Sequence, residues 1–371
     1  MNTQTILTAS ADYAALDRWL EERGVRHLLL VCDQAIAFLR LDGWFRALPE
    51  RKPVQVSRFS DFQPNPAYES VVSGVRRFRE AGCDAIIAVG GGSAMDVAKC
   101  IKLYCNLPED TLYLKQTIVP NEIPLLAVPT TAGTGSEATR YAVIYYNGEK
   151  QSVSHESCIP GTVLLDSSVL KTLPLYQKKS TMLDALCHAV EAFWSVNSTE
   201  ESKAFSRAAL DGILHNLEGY LANEDAANEG MLRAANLAGK AINITQTTAA
   251  HAMCYKLTSL YGVAHGHAAA LCLRRLFPWM LEHTQRCIDP RGRAFLENSL
   301  QDLAAALHCQ TPRQAAEAFC ALFERLELSV PAAQSEDYAL LKHSVNPVRL
   351  KNFPIALDVD TIDTLYHEIL S

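Results

Sequence analysis

Short, unbroken apolar runs recur through the first half of the chain and constrain its fold more than any other feature. His27–Cys32, Ala85–Val89, Ile123–Val128 and Thr162–Leu165 are each too brief for a helix and do not alternate with polar positions. Runs of this kind are typical of strands buried on both faces of a parallel sheet. Residues 66–82 lie between two of them and carry valines and a phenylalanine at helical spacing. The pattern therefore predicts strand–helix–strand units.

Beyond about Asp166 the pattern changes to long helical periodicities separated by short polar breaks. Residues 210–217, for example, repeat leucine and isoleucine at i, i+3, i+4 and i+7, and no convincing strand follows. We therefore predict an α/β domain over residues 1–167 and an all-helical domain over residues 168–371. The segment Leu173–Leu175, with its central proline, is the expected hinge.

Charge and cysteine content exclude several classes of protein. The 371 residues include 34 Lys and Arg against 41 Asp and Glu, a net charge of −7, which argues against binding nucleic acid or an anionic membrane through bulk charge. No apolar run approaches the roughly 18 residues of a membrane span, and the first residues lack the features of a secretory signal. The eleven cysteines are scattered without a CxxC pair. They favour reduced thiols in the cytoplasm over a disulfide framework or a Cys-based zinc site.

A glycine cluster follows the second of the buried runs and leads into a helical pattern. Gly90–Gly92 permits positive φ and a close approach of the backbone, and Ser93 is a competent N-cap. The free N–H groups of a helix N-terminus attract a pyrophosphate. Asp96 and Lys99 on the first turn would either position a ligand or form a salt bridge. Because the spacing is neither GxGxxG nor that of a P-loop, the cluster alone predicts either a phosphate loop or only a tight turn.

A second loop, Pro129–Glu137, is dense in hydroxyls and glycines and follows the next buried run. Two such loops at the ends of parallel strands converge where ligands bind in open α/β folds, which favours a binding loop over a solvated turn. Asp33 stands directly after the first buried run, where an acidic residue commonly binds an adenosine ribose. Its charge would repel a 2′-phosphate, so NAD is favoured over NADP, although a strand-terminating aspartate is the alternative.

Four residues of the second half form a candidate metal-ligand set. Asp184 and His188 are four residues apart and share one helix face, with Cβ atoms about 6 Å apart. A lone pair of this kind is usually a core hydrogen bond, but His251 and His265 follow downstream, with Gly262 between them. One carboxylate oxygen and three imidazole nitrogens suit a divalent first-row metal with an open coordination position. The set itself does not separate Fe²⁺ from Zn²⁺, Mn²⁺, Co²⁺ or Ni²⁺.

The segments GGGSAMDVAK, PTTAGTGSEAT and DALCHAVEA, with His251 fourteen residues before His265-Gly266, resemble the iron-containing (group III) alcohol dehydrogenases over roughly residues 25–275. The resemblance implies a Rossmann-like N-terminal domain and an all-α C-terminal domain, the dehydroquinate synthase-like architecture. It implies metal-dependent hydride transfer between NAD(P) and a small aldehyde or alcohol, with Fe²⁺ as the expected metal and Zn²⁺ as the alternative. The family often forms dimers or larger assemblies, so a homo-oligomer is expected.

The same resemblance assigns roles to individual residues. The metal ligands it implies are Asp184, His188, His251 and His265. The residues implied to line the cofactor pyrophosphate are Gly91, Gly92, Ser93 and Asp96, with Thr130, Thr131 and Thr134 beside them. Asp33 falls at the family's ribose-recognising position.

Three departures from the family pattern bear on the proton donor. Family members often carry a second histidine four residues after the third metal ligand, and here that position is Tyr255. The common HGxANA has become HGHAAA over residues 265–270, and the LLP that usually follows reads Leu-Arg-Arg over residues 273–275. Tyr255 and His267 are therefore the candidate proton-transfer residues, with water as a further possibility. A histidine so close to a ligand also fits an orienting role.

The stretch from residue 238 to residue 255 looks most like the phosphonoacetaldehyde reductase branch of the family. A phosphonate tail requires cations or amide donors near the metal. The candidates by proximity or position in the sequence are Lys150, Lys240, Lys256, Arg274 and Arg275. Two alternatives stay open. One is the same chemistry on an uncharged short-chain or diol-derived aldehyde, and the other is a lyase like the dehydroquinate synthase relatives, which the Asp and three His disfavour.

Overall fold

The computed structural model describes residues 4–371, and their contacts form two compact units. The first reaches Leu173 and includes Asn223–Leu232, and the second comprises Pro174–Ala222 and Arg233–Ser371. The main division thus falls at Leu173–Pro174, slightly after the predicted boundary between residues 167 and 168.

The first unit is built on a parallel sheet. The strands are β1 (Thr5–Thr8), β2 (His27–Cys32), β3 (Gln55–Phe59), β4 (Ala85–Gly90), β5 (Leu125–Pro129), β6 (Tyr141–Tyr146), β7 (Glu149–Ser154) and β8 (Thr162–Leu165). Six of them form one all-parallel sheet in the order β1-β8-β5-β4-β2-β3, while β6 and β7 form a separate antiparallel ribbon. The predicted α/β class is confirmed. The runs that predicted strands are β2, β4, β5 and β8, whereas β1 and β3 lie at the two edges, where partial exposure removes the unbroken apolar pattern.

Four helices accompany this sheet, and the fourth fixes the loop after β5. They are α1 (Ala14–Glu22), α2 (Arg40–Arg51), α3 (Tyr68–Glu80) and α4 (Gly92–Tyr104). Lys99 on α4 is fully buried, and its Nζ donates to Ser136 Oγ at 3.0 Å, to Thr139 Oγ1 at 3.1 Å and to the Tyr141 carbonyl at 2.8 Å. The lysine therefore ties α4 to the start of β6, a structural use of the charge rather than a ligand contact.

The second unit is helical, which confirms the predicted architecture. Its helices are α5 (Leu175–Trp194), α6 (Glu200–Leu221), α7 (Asp225–Thr245, its first residues in the other unit), α8 (Ala249–Tyr261), α9 (His265–Glu282), α10 (Arg293–Ala306), α11 (Pro312–Arg325), α12 (Ser335–Ser344), α13 (Pro347–Leu350) and α14 (Val359–Ile369). α5 is buried along most of its length and packs against α6 and α9. Across residues 4–371, no helix combines the length and apolarity needed to cross a bilayer.

The backbones of α5 and α9 approach so closely that only glycine fits at position 266. A Cβ atom there would lie 2.1 Å from the Ser180 carbonyl oxygen and 2.6 Å from the Asp184 Cβ. These distances are far inside van der Waals contact, and one of the obstructing atoms is backbone. Gly266 therefore permits the packing that brings the first turn of α9 against α5.

We expect Gly266→Ala to lower the free energy of unfolding by about 1–3 kcal/mol, because the added methyl group overpacks the α5–α9 contact. Gly43→Ala is the matched control, since α2 leaves open space around the Cβ position of Gly43 and alanine favours a helix over glycine. Thermal unfolding midpoints measure both variants. A Gly266→Ala protein as stable as the parent would contradict the close approach.

Candidate active site

The four residues predicted as metal ligands come together in the second unit. Asp184 and His188 project from adjacent turns of α5, His251 lies on the first turn of α8, and His265 begins α9. The Oδ1 atom of Asp184 is 3.9 Å from the Nε2 of His188, 3.3 Å from that of His251 and 4.0 Å from that of His265. Three imidazole nitrogens therefore surround one carboxylate oxygen.

The chemistry and spacing of these groups fit a divalent metal. The ligand atoms of Asp184, His188 and His251 all lie within 4.8 Å of one another, and residues 4–371 contain one such group. One oxygen and several imidazole nitrogens are ligands for iron or zinc. The first three side chains are almost fully buried, whereas that of His265 is 36% exposed. The more accessible side of the cluster is therefore the side of His265.

Glu191 orients His251 and was missed by the sequence analysis. It lies on α5 two turns beyond Asp184, is completely buried, and contacts the Nδ1 atom of His251 through its Oε2. Its Oε1 accepts hydrogen bonds from the backbone N–H groups of Thr248 (3.1 Å) and Ala250 (3.0 Å) at the start of α8. A carboxylate at a helix N-terminus is favoured by the free N–H groups there. Glu191 thereby fixes both α8 and the tautomer in which Nε2 of His251 faces Asp184.

The buried charges of this cluster shift one another's pKa values. Burial would raise the pKa of Asp184, but the surrounding histidines hold it well below its usual value. Burial also opposes the lowered pKa of Glu191, which His251 and Thr248 produce. For His251 burial alone would lower the pKa, yet Glu191 and Asp184 raise it to about 9. At neutral pH a metal must therefore displace a proton from His251 in order to bind.

Tyr255 lies beside the cluster, whereas His267 lies in a different environment. The ring of Tyr255 stacks on His265 with centroids 5.3 Å apart, and burial raises the pKa of its hydroxyl. The ring of His267 packs near Phe323, with Nδ1 3.1 Å from the hydroxyl of Tyr176. Helical side chains two residues apart point to different sides, which separates His267 from His265. The structure therefore brings Tyr255, and not His267, against a predicted ligand, and proton transfer by either residue stays a prediction.

In the first unit, Asp33 comes next to the glycine loop. β2 and β4 are neighbours with Cys32 opposite Val89, so both strands end at the same edge of the sheet. A Cβ atom on Gly90, whose φ is +155°, would lie 3.2 Å from Asp33 Oδ2 and 2.6 Å from the Cβ of Ala94. Burial raises the pKa of Asp33, while its hydrogen bond from the Ala35 N–H opposes that rise.

The second predicted loop meets the first at the ends of β4 and β5. The Thr130 N–H donates to the Gly90 carbonyl at 3.0 Å. Cβ atoms on Gly91 and Gly92 would lie 3.7 Å and 3.3 Å from the side chains of Thr131 and Thr134 respectively. Gly91 is the N-cap residue of α4, so the helix N-terminus opens between the two loops. The structure thus brings together six of the predicted cofactor residues, Gly91, Gly92, Ser93, Thr130, Thr131 and Thr134.

Asp96 has a structural use that the sequence analysis did not foresee. Its Oδ1 accepts from Ser136 Oγ at 2.8 Å and its Oδ2 accepts from the Val143 N–H at 3.0 Å. Burial raises the pKa of Asp96, and Lys99 opposes that rise. Because both carboxylate oxygens already hold the segment that leads into β6, the assignment of Asp96 to the pyrophosphate stays a prediction.

Two family models match the two halves of the chain. The iron-containing alcohol dehydrogenase model matches residues 3–167, and the model for the C-terminal part of the Fe-containing alcohol dehydrogenase family matches residues 178–368.

Individual relatives agree with these matches. The probable alcohol dehydrogenase EutG of Escherichia coli is 34% identical over 76% of this chain and 73% of its own length. The phosphonoacetaldehyde reductase of Streptomyces viridochromogenes is 34% identical over 67% of this chain and 66% of its own length. The crystal structure of a sulfoacetaldehyde reductase from Bifidobacterium kashiwanohense in complex with NAD⁺ has a TM-score of 0.88 at 26% identity, covering 100% of this chain and 98% of that one.

We expect Glu191→Gln to weaken metal binding about 10- to 100-fold. An uncharged amide orients the imidazole of His251 less firmly than a carboxylate does and does not make it a better electron donor to the metal. Metal content after dialysis against a chelator measures the effect. Glu218→Gln on α6, whose carboxylate is exposed and pairs with Arg325, is the control. Retention of metal equal to that of the parent would show that Glu191 does not support the cluster.

The raised pKa of His251 predicts a pH dependence of metal affinity. Below about pH 9 the imidazole holds a proton that the metal must displace, so affinity for Zn²⁺ rises by up to about tenfold per pH unit toward pH 9 and then levels. Competition with a chromogenic chelator between pH 6.5 and 9.5 gives the curve. In Glu191→Gln the rise should level at a lower pH, and a flat curve in the parent would contradict the assigned shift.

Proposed function

Because the chain belongs to the iron-containing alcohol dehydrogenase family, we propose that it reduces phosphonoacetaldehyde to 2-hydroxyethylphosphonate with NADH. Membership makes the chain an NAD(P)-linked oxidoreductase that acts on alcohols and aldehydes. The observation that carries the proposal is the cluster of Asp184 with the three Nε2 atoms that surround it. The phosphonoacetaldehyde reductase relative supports the choice of substrate.

The residues of the cluster have distinct tasks in this reaction. Asp184, His188, His251 and His265 would hold the iron, which when bound would supply a Lewis acid to polarise a carbonyl oxygen, as zinc would too. Glu191 holds His251 in the ligating tautomer. Burial of the first three ligands excludes water from their side of the site, and the exposed side of His265 leaves room for a substrate to enter.

The loops of the first unit would hold the cofactor, which carries the hydride. The start of α4 offers N–H groups to a pyrophosphate, and the threonines of the second loop offer hydroxyls beside it. Asp33 would accept hydrogen bonds from the adenosine ribose. Its carboxylate would also repel a 2′-phosphate, which supports NAD over NADP as the cofactor.

Proton delivery to the product is assigned to Tyr255 in this proposal. Its ring contacts His265, whereas His267 is turned toward Phe323. The hydroxyl of Tyr255 also accepts a hydrogen bond from Arg349 at 3.0 Å, and this cation lowers the pKa of the hydroxyl against the larger opposing effect of burial.

An uncharged short-chain aldehyde is the second candidate substrate. The relationship to EutG and to alcohol dehydrogenases of yeasts supports it, because their names describe no charged tail. The same metal and cofactor residues would serve either substrate, so the two candidates differ only in what binds the substrate tail.

The cellular setting belongs to the same proposal. We place the enzyme in the cytoplasm, which the free state of all eleven cysteines supports because a reducing compartment keeps thiols unpaired. We also propose a homo-oligomer, and light scattering of the purified protein tests that assignment.

We expect kcat/KM for NADH oxidation to be higher with phosphonoacetaldehyde than with propionaldehyde. Activity with both aldehydes should be lost when the metal is removed and return when it is restored. Asp184→Ala should lose its bound metal and about 1,000-fold or more in kcat/KM, since the Lewis acid contributes several kcal/mol to the barrier. Asp211→Ala, at an exposed aspartate of α6 paired with His308, is the control. Full activity and metal content in a folded Asp184→Ala protein would refute the ligand assignment.

A further inference from the structure

Arg349 is a partly buried cation that forms no ion pair with an acidic residue of the described chain. It lies on α13, and among residues 4–371 no carboxylate comes within ion-pair distance of its guanidinium group. Its Nη1 donates to the Tyr255 hydroxyl at 3.0 Å, and its guanidinium carbon lies 5.0 Å from the centroid of that ring. A guanidinium offers five N–H donors in a rigid fork. Most of these donors therefore have no acceptor within the described part of the chain.

Arg349 lies close to the accessible side of the metal cluster. The Tyr255 ring that it covers stacks in turn on His265, with centroids 5.3 Å apart and planes 27° from parallel. His265 is the most exposed of the four predicted ligands. One tyrosine ring thus separates a guanidinium group from the ligand at which a substrate would enter.

The other arginines that the sequence suggested are engaged elsewhere. Arg274 donates to the Ile369 carbonyl and lies over the ring of Phe323, and Arg275 donates to the Glu368 carbonyl. Both guanidinium groups therefore bind the end of the C-terminal helix α14 and the residues packed beside it. Arg349 was not suggested, because it stands 94 residues from Tyr255 in the sequence.

We propose that Arg349 binds the oxyanion tail of the substrate and thereby selects small aldehydes that carry a phosphonate or sulfonate group. A guanidinium fork binds such oxygens through paired, charge-assisted hydrogen bonds. The inference rests on the proposed function, since it concerns the tail of an aldehyde whose carbonyl is reduced at the cluster. The single ring between Arg349 and His265 restricts the substrate to a short chain between carbonyl and anion.

Tyr255 has a second role in this arrangement. Its hydroxyl takes one donor of Arg349 and its ring supports the guanidinium face, so the tyrosine sets the direction of the remaining donors. The phenolic oxygen is the acceptor that holds this donor of Arg349 in place. Tyr255 and Arg349 therefore form one recognition unit.

The test compares kcat/KM for phosphonoacetaldehyde with kcat/KM for propionaldehyde in the same preparation. In Arg349→Gln we expect this ratio to fall about 10- to 100-fold, the range that loss of charge-assisted hydrogen bonds produces. Arg349→Lys should give an intermediate ratio, because the charge remains but the fork is lost. Arg313→Gln, at an arginine whose side chain is 87% exposed, is the control and should keep the parent ratio.

A binding measurement separates recognition from turnover. Titration calorimetry of the metal-loaded, NADH-bound enzyme with 2-hydroxyethylphosphonate, a pair that cannot react, should show weaker binding in Arg349→Gln by a similar factor. Sulfoacetaldehyde should lose kcat/KM in parallel with phosphonoacetaldehyde. An equal loss on propionaldehyde would show that Arg349 only supports the fold of the site, and a fall of the ratio in Lys256→Gln but not in Arg349→Gln would transfer the role to Lys256. Either result overturns the inference.

The two proposals fail in different ways. If the parent enzyme oxidises NADH with none of these aldehydes, the proposed function is wrong. If the parent reduces propionaldehyde at least as well as the anionic aldehydes, the reaction class stands and the selection for an oxyanion is wrong. If the parent prefers phosphonoacetaldehyde and Arg349→Gln keeps that preference, only the assignment to Arg349 is wrong.

Discussion

Two carboxylates buried on one face of α5 are the constraint on which the active site depends. Asp184 and Glu191 stand two helical turns apart, and both are almost completely removed from water. A buried carboxylate is costly unless cations or N–H groups surround it. His251 stabilises both carboxylates, because one of its ring nitrogens faces each of them. The position of α8 follows from this pairing, because its first turn must deliver both His251 and the N–H groups that bind Glu191.

The position of His265, the remaining predicted ligand, depends on packing rather than on charge. His265 reaches the cluster because α9 starts against α5, and that approach exists only while residue 266 has no side chain. The four predicted ligands thus depend on two different kinds of support. Three are held in a buried electrostatic network, and the fourth is held by the contact of two helix backbones. This division explains why the site is closed on one side and accessible on the other.

The sequence was a good guide where local spacing carries the information. The i, i+4 spacing of Asp184 and His188 predicted two side chains that the structure brings together in the cluster, and unbroken apolar runs predicted the central strands. The edge strands β1 and β3 were missed because they are partly exposed. The ribbon of β6 and β7 left a readable signal, since Asn147-Gly148, both with positive φ, is a typical two-residue hairpin turn. The sequence also carries a signal for Glu191, because this residue follows Asp184 by seven positions and so lies on the same helix face.

Other features were beyond any local pattern. Arg349 contacts Tyr255, which lies 94 residues away in the sequence, and the acceptors of Lys99 lie on a loop and strand that follow it by about 40 residues. Nothing in the residues around Asp96 indicated that its carboxylate would hold β6. Such contacts depend on how separate elements pack, and a single sequence does not encode them in a readable spacing.

The N–H groups of α8 that bind Glu191 have a consequence for how the protein responds to metal supply. They balance part of the buried negative charge permanently, and a proton on His251 balances more of it whenever no cation is bound. The helices therefore have little electrostatic reason to separate when the ion leaves. Loss of iron should leave an intact, rechargeable protein, so the amount of working enzyme in a cell would follow the availability of the ion rather than the turnover of the polypeptide.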